Sequence, residues 1–209
     1  MPSNMEKYYY PLLWARGRRV RRSYDVGVRI ASNSWGDTSR FYYDSMCEQA
    51  DSYMWKHNDL LLLFAAGNEG ENGWPRAGGV TRSLGSITPP ALAKNVLTVG
   101  AVYSDYMGIP NGKDFITYFS SRGNPDLSRW ARRGRLMRRI KPDVVATGIA
   151  YSAKAFTRGE CGSHCEDHSD VMFMGGTSMA TPATAGAVAI LTQYLNEGHY
   201  HDSGSGDGA

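Results

Sequence analysis

Ser178 stands in the string Gly176-Thr177-Ser178-Met179-Ala180-Thr181-Pro182, preceded by Gly175 and followed by small and apolar residues to about Leu195. A serine where a helix opens usually caps it, its oxygen satisfying a backbone N–H that has no partner in the first turn. The neighbouring residues point past a plain cap. Gly175 and Gly176 permit a sharp turn and close backbone approach. Pro182 is expected early in the helix, where a missing N–H costs least. Ala180, Ala183, Ala185, Gly186 and Ala187 make the helix slim enough to run through a packed core. At such a start, the helix dipole and free N–H groups favour negative charge beside Ser178.

Other residue types also carry chemistry. Asn68, in Gly67-Asn68-Glu69-Gly70, reads on its own as a turn asparagine. Cys161, His164, Cys165 and His168 are zinc-capable ligands, but their spacing matches no standard finger, so a loop disulfide or free thiols is the preferred reading. Cys47 falls on a helical apolar face and is expected to be a buried thiol. With three cysteines the count is odd, which argues against a complete disulfide framework.

The elements that must position these groups follow from periodicity. Val26, Val28 and Ile30 alternate with Gly27, Arg29 and Ala31, predicting a strand that ends in the polar turn Ser32-Asn33-Ser34-Trp35-Gly36. Tyr43, Met46, Cys47, Ala50, Tyr53, Met54 and His57 recur at helical steps, and Asn58-Asp59 ends that helix. Leu60 to Ala66 is a continuous apolar run, suited to a strand buried on both faces. A glycine-rich connection from Gly70 to about Pro90 precedes a second buried strand, Val96 to Val102. Val144-Val145-Ala146 reads as a shorter one. Strands alternating with helices predict an α/β fold with a mostly parallel sheet flanked by helices. In such sheets ligands sit beyond the carboxyl ends of the strands. Asn33 to Gly36, Gly67 to Gly70 and Ser178 all fall at edges of that kind, so three chain segments can converge on one site.

At this point the sequence resembles the subtilases. Gly176 to Pro182 is similar to the family's nucleophile motif, and Ala65-Ala66-Gly67-Asn68-Glu69-Gly70 to its oxyanion-hole motif. Asn33-Ser34-Trp35-Gly36 resembles the strand that pairs with extended substrate. Thr98-Val99-Gly100-Ala101, Phe119-Ser120-Ser121-Arg122-Gly123 and Lys141-Pro142-Asp143-Val144 agree in the same order, from about Gly27 to Leu195. The variant, with Asn33-Ser34-Trp35-Gly36 and Met174-Gly175-Gly176-Thr177-Ser178, looks closer to the large alkaline-protease branch than to the smallest bacterial enzymes. The resemblance implies a subtilisin-like fold and a serine endopeptidase acting on polypeptide in extended conformation. Ser178 is then the nucleophile and Asn68 an oxyanion donor. Ser34, Trp35 and Gly36 pair with substrate, and Ala65, Ala66 and Gly67 line one wall of the specificity pocket. Trp35 reads equally well as core.

The pattern is incomplete. The family's histidine and aspartate precede the substrate strand, in contexts such as Asp-Ser-Gly and His-Gly-Thr. Neither context occurs among the 32 residues before Asn33. Asp202-Ser203-Gly204, beside His199 and His201, matches the aspartate tripeptide but lies in low-complexity sequence. His57, on the long helix, reads as structural. Ala146-Thr147-Gly148 departs from the family's Ala-Pro-Gly. Residues 1–197 therefore read as a partial subtilase catalytic domain, the fold incomplete, with an arginine-rich insertion at about 124–141. Residues 198–209 read as a polar, glycine-rich tail that is disordered. The expected partner is the missing N-terminal part of the same domain, and the isolated chain is expected to be unstable or aggregation-prone. The alternative is a catalytically inactive subtilase-like peptide-binding or interaction protein. A hydrolase with a Gly-x-Ser-x-Gly elbow ranks last, because the final glycine is absent.

Composition bounds the rest. At 209 residues, 42% hydrophobic and 21% charged, the chain suits one globular domain with a true core. The net charge of +3 hides arginine clusters at Arg16 to Arg22 and Arg129 to Arg139. Both read as connections or insertions, so no nucleic-acid partner is expected. No apolar run is long enough to span a membrane, and no signal peptide is evident. The chain is cytosolic, or secreted if its N-terminus is truncated. No cofactor and no metal is expected. The family resemblance implies structural calcium, for which no acidic cluster is assigned.

Overall fold

The computed structural model describes residues 18–70, 85–104, 115–123, 140–153 and 171–198. Four strands, β1 (Ile30–Asn33), β2 (Leu61–Ala65), β3 (Leu97–Val102) and β4 (Val144–Thr147), form one sheet in the order β1-β2-β3-β4. Every pairing is parallel, with Ile30 opposite Leu61, Leu63 opposite Leu97 and Val99 opposite Val144. A parallel sheet needs cover on both faces, and β2 shows why: successive side chains alternate sides. Leu62 and Phe64 pack with Cys47, Ala50 and Met54 of a helix on one face. Leu63 packs with Val99, Ala101 and Ala180 on the other.

Helix α2 (Ser45–Lys56) covers the first face. Its start is set by Asp44, whose carboxylate accepts from the amides of Met46 (2.9 Å) and Cys47 (3.3 Å), the usual way of satisfying orphan first-turn donors. Asp51 binds the helix to the turn before β3, accepting from the Tyr43 hydroxyl and the amides of Lys94 and Asn95. Helix α3 (Thr177–Asn196) lies across the second face and packs on all four strands. A two-stranded antiparallel ribbon, β5 (Ile149–Ala153) with β6 (Val171–Gly175), leads into it.

Several elements differ from expectation. Arg18–Asp25 forms helix α1, where a connection was expected. Val20 and Tyr24, four residues apart, pack against the α2 side of the core. The helix ends at Gly27, whose φ of +98° is one that L side chains rarely adopt. The Val28 amide then bonds back to the Ser23 carbonyl at 3.0 Å. The predicted strand from Val26 therefore begins only at Ile30, and Val26 is exposed. Ser86 to Pro90, expected as the end of a connection, is buried throughout and, with Ala91 to Ala93, forms part of the core.

Helix α3 also departs from the slim, core-threading helix that was expected. Only Thr177, Ala180 and Thr181 are buried, and Ile190, Leu191, Tyr194 and Leu195 stand exposed. Among the described residues nothing covers that part of the helix, and β1 and β4 are the open edges of the sheet. The arginine-rich stretch 124–139, the cluster Cys161 to His168 and the tail from His199 lie outside the described residues.

Candidate active site

Three segments converge beyond the carboxyl ends of β1 and β2. From β2 the chain continues through Ala65 and Ala66, both buried, to half-buried Gly67 and exposed Asn68. The Ala66 amide extends the sheet by bonding the Val99 carbonyl at 2.9 Å, which carries the strand geometry up to Gly67. Gly67 has φ +108° and would place a side chain 2.8 Å from Ser121 Oγ, so both its conformation and its surroundings require glycine.

Asn68 is fixed against the start of α3. The Thr177 amide and Oγ1 both donate to Asn68 Oδ1, at 2.9 and 3.0 Å. The Gly67 amide donates to Thr177 Oγ1 at 3.3 Å. With two donors aimed at one end of the Asn68 amide, that end must be the oxygen, and Nδ2 is left for other work. A Cβ at Gly176 would lie 3.4 Å from Asn68 Nδ2 and 3.6 Å from both Asn68 Oδ1 and Ser178 N, so the Asn68 side-chain amide and the Ser178 backbone amide both lie beside this glycine.

Ser178 is the second residue of α3 and is half-buried. The approach to it is tied down by the Gly176 amide, which bonds the Gly148 carbonyl at 2.8 Å, and by the Met179 amide on the Gly176 carbonyl at 3.0 Å. Gly176, the cap residue, offers no side-chain hydrogen bond to the helix. The Thr177 amide is taken by Asn68 and the Met179 amide by Gly176, and the helix dipole favours negative charge beside the Ser178 amide between them. Among the described residues neither a histidine nor an aspartate bonds Ser178. His57 stacks between Tyr24 and Tyr53, each ring 4.3 Å away, in the structural role expected of it. The other candidate histidines and Asp202 fall outside the described residues.

The third segment follows β1. Ser34 is exposed and its hydroxyl donates to the Ser178 carbonyl at 2.9 Å. The Trp35 ring turns inward, edge-on to Phe64 at 5.3 Å, with Nε1 donating to Asn33 Oδ1. Its ring is core, while its backbone runs with Ser34 and Gly36 at the rim. Gly36 passes so close to Thr88 and Pro89 that a Cβ would meet Thr88 Oγ1 at 2.5 Å.

The sequence matches the Subtilase family (Peptidase_S8) over residues 14–203. The chain belongs to the subtilase family. Its subtilase fold is an α/β one, a parallel sheet flanked by helices. It is 25% identical, over 95% of its length, to the serine protease/ABC transporter B family protein tagD of Dictyostelium discoideum, of which it covers 13%. It is 32% identical, over 68% of its length, to pyrolysin of Pyrococcus furiosus, of which it covers 10%. The fold of the prenylagaramide maturation protease PagA superposes with a TM-score of 0.56 at 22% identity, over 88% of this chain and 50% of that one. The chain thus spans a small part of these curated relatives and half of that solved structure.

Sequence reasoning missed Thr177 as the residue that orients Asn68. The signal was present in the hydroxyl of a threonine directly before the serine, which reaches back to the Gly67-Asn68 turn. Among the described residues no group of three or more His, Cys, Asp and Glu is placed to hold a metal, and no helix is long and apolar enough to cross a membrane.

Proposed function

We propose that this subtilase domain belongs to a serine endopeptidase in which Ser178 attacks the scissile carbonyl and forms an acyl-enzyme. The Asn68 Nδ2 and the Ser178 amide receive the oxyanion. The observation that carries this reading is that Asn68 Nδ2 and the Ser178 amide both lie beside Gly176, with Asn68 Oδ1 held by the Thr177 amide and hydroxyl. The substrate is an extended polypeptide that adds its backbone to Ser34–Gly36, beside half-buried Gly67, with Ala65 and Ala66, expected in the same wall, buried beneath it. The general base and its carboxylate partner are not among the described residues that bond Ser178; the β1 edge and the apolar residues of α3 are the surfaces on which further polypeptide would pack. Both surfaces lie open in the described structure.

The test is hydrolysis of an unstructured polypeptide by the intact protein isolated from its source. Ser178→Ala should remove turnover. In subtilisin, the reference case for such a triad, loss of the serine costs about 10⁶-fold, a magnitude carried over from that enzyme. Full activity of the Ser178→Ala protein would rule the proposal out.

A further inference from the structure

Pro182 lies four residues beyond Ser178 within α3. In a regular helix the Ser178 carbonyl accepts a hydrogen bond from the amide of residue 182. Proline has no amide hydrogen, and its ring crowds the carbonyl four residues back. The sequence placed Pro182 where this costs least. In the structure it is the sixth residue of α3, past the first turn, and the carbonyl deprived of its helical partner belongs to Ser178. The neighbouring carbonyl shows no such gap, since Thr177 O accepts from Thr181 Oγ1 at 2.8 Å. A donor for Ser178 O arrives from elsewhere in the chain: Ser34 Oγ, 144 residues away in sequence, at 2.9 Å. Ser34 follows directly on β1, and the preceding Asn33 is fixed by its own amide to the carbonyls of Ala31 and Leu63, both at 3.1 Å.

We infer that Ser34 is a positioning residue whose hydroxyl replaces the amide missing at Pro182, and so fixes the Ser178 peptide to the end of β1. The inference rests on Ser178 being the nucleophile. It gives Pro182 a purpose. By withholding a helical donor, Pro182 frees the Ser178 carbonyl to be held by the segment along which substrate lies. Nucleophile and substrate strand are then in register through one bond, and loss of that bond lets Ser178 tilt with its helix turn. This affects the chemical step more than substrate affinity.

Four versions of the intact protein test this: wild type, Ser34→Ala, Pro182→Ala and the double variant. Ser34→Ala should lower kcat about three- to tenfold, the range of one net hydrogen bond, with KM moved less than about twofold. Ser34→Thr, which keeps the hydroxyl, should restore kcat. In the Pro182→Ala background the amide of residue 182 serves the Ser178 carbonyl, so removing the Ser34 hydroxyl should cost less than about twofold. An equal loss in both backgrounds, or a loss confined to KM, overturns the inference. The same cycle read by denaturant unfolding separates the two claims. Coupling between Ser34 and Pro182 in a protein without any turnover sustains the contact and sinks the peptidase reading. Absence of coupling there removes the contact itself.

Discussion

Thr177→Val removes one hydroxyl from a buried site and keeps the side-chain shape. Two bonds go with it: the one Thr177 Oγ1 donates to Asn68 Oδ1 (3.0 Å) and the one it accepts from the Gly67 amide (3.3 Å). The first is worth about 0.5–1.5 kcal/mol net, and leaving the half-buried Gly67 donor without its acceptor costs about 1–3 kcal/mol. The Gly67 bond is long at 3.3 Å, so the expected destabilisation is roughly 2 kcal/mol. The effect on turnover is smaller. The Thr177 amide still holds Asn68 Oδ1 at 2.9 Å, so the side-chain amide keeps its orientation and only its rigidity suffers. We expect kcat to fall about three- to tenfold. Asn68→Ala, which deletes the donor outright, should cost far more. In subtilisin, the reference case for this donor, the loss is about 10²- to 10³-fold. Thr177→Ser should restore both bonds and most of the stability. The assay is steady-state hydrolysis of a chromogenic peptide by the intact protein, paired with urea unfolding of each variant. Thr177→Val as damaging as Asn68→Ala would show that the threonine itself meets the reacting atoms. No change in either measurement would show that the hydroxyl does not hold Asn68.

Other consequences are open to test. Burial pushes the Cys47 thiol up to about 12, from an ordinary value near 9. Above pH 9 the unfolded thiol loses its proton while the folded one keeps it, so this group's contribution to stability should decline as pH rises from about 9 to about 12. Cys47→Ala should flatten that part of the stability profile, and alkylation of native Cys47 at pH 8 should be slow. Lys141 is buried, with Nζ bonded to the Val96 carbonyl at 2.8 Å and to Asp143. Asp143→Asn removes a carboxylate from that ammonium and from the Thr98 amide, and denaturant unfolding should show a loss of about 1–3 kcal/mol. The 209-residue chain by itself exposes Ile190 (71%), Leu191, Tyr194 and Leu195 beside an open β1 edge. It should self-associate and bind a hydrophobic dye; a sharp cooperative melt of a monomer would refute this.

Much of the fold was legible because parallel strands announce themselves. Leu61–Ala65 and Leu97–Val102 are short runs bounded by turns and buried on both faces, and their length suits a strand better than a helix. The turns after β1 and β2 and the opening of α3 were legible for a related reason: their glycines answer close approaches. Gly36 faces Thr88, and Gly67 faces Ser121. What escaped notice depended on partners distant in sequence. In Arg18–Asp25 the charged residues masked a two-residue apolar face, Val20 and Tyr24, that matters only once α2 and β2 are in place. The β5–β6 ribbon pairs Tyr151 with Phe173 across segments without alternation to mark them. The cost of Pro182 depended on where α3 begins: with the start at Thr177 it falls past the first turn. The role of Ser34 followed from that placement, and no local pattern encodes it.

The central claim is that Ser178 is an activated nucleophile. The most direct measurement is reaction of the intact native protein with a fluorophosphonate probe, with the adduct mapped by mass spectrometry. The account predicts one adduct, on Ser178, absent after denaturation and strongly reduced by Asn68→Ala. A proteolytically active protein whose adduct lies on another residue, with Ser178 unmodified, would contradict it.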